Sequence, residues 1–85
     1  MRAIPMKARV FVTLKSGVLD PQGKAIEGAL HSLGIGDVGS VRQGKVFDIE
    51  LSAETPNEAR ATLSAACERL LANTVIENYR VEIGA

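Results

Sequence analysis

Apolar and polar positions alternate cleanly along residues 6–15, MKARVFVTLK, with Ala8, Val10, Val12 and Leu14 on one side and Arg9, Phe11, Thr13 and Lys15 on the other. That period predicts a half-buried strand. Asp20 and Pro21 then suit a helix start. The aspartate can cap free amides, and proline at the first helical position forfeits no hydrogen bond. Ile26, Ala29, Leu30 and Leu33 follow at helical spacing, and Gly34 is placed to end the helix. Residues 37–52, DVGSVRQGKVFDIELS, read as a hairpin turning at Gln43-Gly44, with Phe47, Ile49 and Leu51 sharing a face in the second arm. From Thr55, a capping box (Thr55 as cap, Pro56 first, Glu58 three residues on) opens a second helix with Ala59, Leu63, Ala66 and Leu70 on one face. Residues 77–83, ENYRVEI, close the chain as a strand with Tyr79, Val81 and Ile83 inward.

The order is therefore β-α-β-β-α-β. With short linkers and right-handed crossovers it predicts an α+β, ferredoxin-like two-layer sandwich, an antiparallel sheet with both helices on one face. Residues 1–5 read as an N-terminal tail, with Met6 a second candidate start, and residues 6–85 as a single domain. The other sheet face would carry Arg9, Phe11, Thr13, Lys15, Val46, Asp48, Glu50, Arg80 and Glu82. Mixed charges around one large aromatic suit a polar protein contact. They suit equally a solvated face with a stray phenylalanine.

Composition narrows the function. The 85 residues carry ten basic and ten acidic side chains, a net charge of zero, with two phenylalanines and one tyrosine. Neither phosphate neutralisation nor a base-stacking platform is served by that balance, so nucleic acid is not an expected partner. Hydrophobic residues make up 46%, ordinary for a globular chain. No apolar run approaches membrane-spanning length and no signal-peptide pattern is present, so a cytoplasmic location is expected.

Catalytic chemistry is hard to assemble from these residues. His31 is the single histidine and falls near a helix end, where it reads as solvated or facing the dipole. Cys67 is the single cysteine; it sits beside the buried stripe and reads as a small hydrophobe. The glycine-rich GIGDVG, residues 34–39, follows a helix and precedes a strand, the reverse of a phosphate loop. Gly23 and Gly28 are the odd feature, because each weakens the first helix by about 1 kcal/mol relative to alanine. Gly23 is expected at a partner or loop contact, and Gly28 at close packing of the helix on the sheet.

Three stretches, VTLKSGVLDPQGKAIEGALHSLG, VRQGKVFDIEL and CERLLANTVIENYRVEI, together resemble the PurS family over nearly the whole chain from Met6. LKSGVLDPQG is the most specific of them. Thr74 departs from the proline often found in the family at that position. The resemblance implies the small subunit of phosphoribosylformylglycinamidine synthase in de novo purine synthesis. It implies no catalytic, cofactor or metal site in this chain, with ATP and Mg expected in a PurL-type synthetase subunit. It further implies self-association as homodimer or homotetramer, and contact with that synthetase and a PurQ-type glutaminase. Candidate partner contacts are Phe11, Lys15, Asp20, Pro21, Gly23, Arg42 and Lys45. A stand-alone dimeric regulatory domain that binds a small effector shares the topology and is the competing expectation.

Overall fold

The computed structural model describes residues 4–84. Strand β1 (Ile4–Leu14) is followed by helix α1 (Pro21–Ser32), strand β2 (Gly44–Ala53), helix α2 (Pro56–Ala66) with a π turn at Cys67–Leu71, and strand β3 (Glu77–Ile83). The antiparallel sheet has the order β2-β1-β3. The class is α+β, as expected. Strand β1 begins at Ile4, inside the stretch expected as tail; Met1, Arg2 and Ala3 lie outside the described residues.

Register places Val10 between Phe47 and Val81, and Ala8 between Ile49 and Ile83. Their common face meets α2 and the π turn. Val10, Val12 and Cys67 are wholly buried there, joined by Ala72 and flanked by Phe47, Ile49, Leu71, Tyr79 and Val81. The opposite face shows the expected residues. Arg9 bonds Asp48 at 2.8 Å, Arg80 pairs with Glu82, and the Arg80 guanidinium lies 4.2 Å from the centre of the Phe11 ring. Phe11 thus receives a cation–π cover from its own chain.

Three details depart from the pattern-based expectation. The first arm of the hairpin is absent: residues 35–43 form no strand, and Gly44 does not take the positive φ of a tight turn. Side chains near α1 claim that segment's backbone amides instead. The Glu27 carboxylate accepts from Val41 N at 3.1 Å and Asp20 from Gln43 N at 2.6 Å.

Secondly, α1 is not laid on the sheet beside α2. Gly23 in its first turn is its one buried residue, while Ile26 and Leu33 face solvent. Thirdly, the stripe of the second helix breaks. Ala59 and Leu63 are buried as expected, but Leu70 is 84% exposed. The π turn, with Ala72 N donating to Cys67 O at 3.0 Å, inserts one residue. Cys67 and Leu71 therefore face the core in place of Leu70.

Candidate partner-contact site

The expected helix start forms as predicted. Asp20 caps α1, its Oδ1 accepting from Gly23 N at 2.9 Å, and Pro21 takes the first helical position. The same carboxylate accepts from Gln43 N through Oδ2, so one buried side chain joins the start of α1 to the start of β2. These amides hold its carboxyl below the ordinary carboxylate range, the Gln43 amide most and Gly23 next. Arg42 completes the knot by donating to Val18 O at 2.8 Å and to Lys15 O at 3.1 Å.

Lys15 N donates in turn to Ile76 O at 2.9 Å, tying the loop to the end of β3. Lys45 lies 3.7 Å from Glu77 across the rim of a hollow of about 190 Å³ lined also by Val12, Leu14, Asp20 and Gln43. Lys15, Asp20, Pro21, Gly23, Arg42 and Lys45 therefore gather at one end of the sheet, where Leu14 of β1 opposes Glu77. Phe11 does not join them; it sits on the opposite sheet face under Arg80.

Gly23 makes the loop contact that was one of its two expected roles, whereas Gly28 does not make the close packing expected of it. A Cβ on Gly23 would stand 2.4 Å from Val41 O and 2.6 Å from Asp20 Oδ2. Gly23 is therefore needed for the chain's own loop. Gly28 has open space where a Cβ would go, so it packs on no sheet. His31 lies one turn beyond Glu27, with its Nε2 3.0 Å from Val38 O. Gly23, Glu27 and His31 thus form one stripe of α1 along which residues 38–41 run back.

No cluster able to hold a metal occurs among the described residues, and none of their helices is long and apolar enough to cross a membrane. Cys67 is buried, and burial followed by the charge of Glu68 pushes its thiol pKa up, away from a reactive thiolate.

Residues 7–85 match the family model described as PurS: phosphoribosylformylglycinamidine (FGAM) synthase. The chain belongs to the PurS family. It is 52% identical over 79 residues to the phosphoribosylformylglycinamidine synthase subunit PurS of Synechocystis, covering 91% of this chain and 77% of that one. It is 44% identical to the PurS subunit of Bacillus subtilis over 91% of this chain and 90% of that one. A solved PurLQS structure from Thermotoga maritima contains a chain that superposes with a TM-score of 0.87 at 35% identity, over 94% of this chain and 98% of that one. These likenesses agree with the ferredoxin-like class.

For this PurS-family chain, sequence reasoning missed Glu27, Val41 and Gln43, which complete the knot. The acidic Glu27 on the stripe of Gly23 was the available signal. Nothing local pointed to Val41 or Gln43, which contribute only backbone groups.

Proposed function

We propose that this chain is the non-catalytic small subunit of a phosphoribosylformylglycinamidine synthase. The assembled enzyme would convert formylglycinamide ribonucleotide, glutamine and ATP into formylglycinamidine ribonucleotide, glutamate, ADP and phosphate, in the cytoplasm. ATP and Mg would belong to the synthetase subunit. This chain would associate with itself, and hold the synthetase and glutaminase together so that ammonia passes between them without loss to water.

Membership of the family over residues 7–85 carries this reading. The hydrogen-bonded knot at Asp20 and Arg42 supports it, because it holds the loop that carries Lys15 and the start of the strand that carries Lys45 together at one end of the sheet. The test is reconstitution with the two larger subunits. The isolated chain should match a blank with glutamine or ammonia as nitrogen donor, and adding it should restore glutamine-driven activity. Lys15→Ala and Lys45→Ala should lower glutamine-driven turnover far more than ammonia-driven turnover, since dissolved ammonia bypasses the glutaminase. Turnover by the isolated chain, or equal loss with both donors, would overturn the proposal.

A further inference from the structure

Residues 37–42 stand between two sets of partners. They carry the apolar positions of a hairpin arm, with the Gln43-Gly44 turn signal behind them. The outer edge of β2, where such an arm would pair, holds no strand among the described residues. Side chains hold the segment along α1 instead. Glu27 accepts from Val41 N, Asp20 accepts from Gln43 N, and Arg42 donates to Val18 O and Lys15 O.

The two Arg42 bonds grip a hinge. Lys15 and Val18 belong to the loop between β1 and α1, where Val18 N returns to Lys15 O and Gly17 has a φ of 88°, a region glycine enters freely. Held in this form, the loop directs α1 away from the sheet. The molecule measures 57 × 26 × 14 Å, with a Cα radius of gyration of 16.7 Å against about 12 Å for a compact domain of this length.

Two apolar surfaces of the same chain are thereby kept apart. Ile26 and Leu33 on α1 are 40% and 75% exposed, while Phe47, Ile49 and Leu51 on the α2 side of β2 are only half-buried. The chain exposes 6050 Å², whereas a compact chain of 9.0 kDa exposes about 4,850 Å². Burial of apolar area therefore favours bringing α1 back over β2, and the bonds of Asp20, Glu27 and Arg42 oppose it.

We infer that this knot is a catch: once released, α1 swings about the Gly17 loop onto its own sheet and residues 37–42 pair with the outer edge of β2. The register suits that pairing. A two-residue turn at Gln43-Gly44 sets Val38 opposite Ile49 and Val41 opposite Val46, both favourable cross-strand pairs. Residues 37–42 then run parallel to β1 with β2 between them, and the β1-α1 crossover is the right-handed one of a four-stranded ferredoxin-like sandwich. The catch decides whether the chain presents its arm or folds it away. It depends on bonds within the protomer and not on the subunit assignment, so either reading can fail without the other.

The test uses the isolated full-length chain at dilutions where it is monomeric. Arg42→Ala combined with Glu27→Ala removes three of the four bonds and leaves Asp20 to cap α1. Small-angle scattering should then fall from the 16.7 Å of the wild-type chain toward ~12 Å. Nuclear Overhauser contacts should link Val38 to Ile49 and Val41 to Val46, and outward-facing amides of β2 should exchange more than about tenfold more slowly. Gln43→Asn keeps every side chain of the catch and supplies the Asn-Gly pair that tight hairpins favour, so it should move the same three readouts in the same direction. An arm that stays extended or turns disordered on release, or a compact chain without those contacts, would overturn the inference. Should the double variant not fold, unchanged readouts in Gln43→Asn would overturn it.

Discussion

Gly23 and Gly28 are alike in helix propensity and opposite in surroundings. Substituting Gly23 by alanine would drive a methyl into Val41 O, a backbone atom that cannot move without disturbing the Glu27 and Asp20 bonds. Gly23→Ala should therefore destabilise the chain by about 1–3 kcal/mol, as overpacking does. Gly28→Ala meets nothing and should stabilise it by up to about 1 kcal/mol, the ordinary gain of alanine over glycine in a helix. Chemical denaturation of the two variants checks both signs.

Asp20 allows a sharper residue-scale test. Its carboxyl titrates lower when folded than when unfolded, so its ionised form favours the folded state. That contribution is fully present above the unfolded value near 3.9 and disappears as pH falls through the depressed folded value. The melting-temperature gap between wild type and Asp20→Asn should thus be several degrees and level from pH 7 to about 5, then close below about pH 4. A gap that widened in acid would contradict the carboxylate's role at the knot.

Among the elements, the second helix shows how one extra residue redirects a face. Helical spacing from Ala59 and Leu63 points to Leu70, but the π turn brings Leu71 to the core and turns Leu70 outward. Leu71→Ala should cost about 1–2 kcal/mol, and Leu70→Ala less than about 0.5 kcal/mol in the isolated protomer. Comparing denaturation midpoints at dilutions where the chain is monomeric separates that cost from any loss of association. Cys67, at the start of the turn, is fully buried with a raised thiol pKa. Ellman's reagent should leave it unmodified in the native protein at pH 8 and react once denaturant unfolds the chain. Fast native reaction would mean that the turn opens.

As a whole molecule, the protomer is a sheet with one helix packed on it and one held away. The knot at the base of α1 makes that geometry rigid, so it should persist when association is broken. Small-angle scattering at dilutions where the chain is monomeric should give a radius of gyration near the 16.7 Å of the chain, not the ~12 Å of a collapsed domain. A collapsed value would show that the Asp20 and Arg42 bonds do not fix the arm.

Local pattern was enough for much of this protein. Alternation in residues 6–15 and 77–83, the Asp20-Pro21 and Thr55-Pro56 starts and the halt at Gly34 all appear where residues a few positions apart place them. Each depends on neighbours along the chain, which a sequence displays directly. The family likeness was legible too. Tertiary structure alone decided the rest. Residues 37–42 have the apolar residues and turn signal of a hairpin arm, but Asp20 and Glu27, 23 and 14 positions away from the amides they accept from, outcompete the ladder. Gly23 is required by the Val41 carbonyl, which no local pattern announces. The side of α1 that stays bare was likewise invisible in its periodicity. An amphipathic stripe states that a helix has an apolar face, while the chain's three-dimensional path determines whether its own sheet can reach that face.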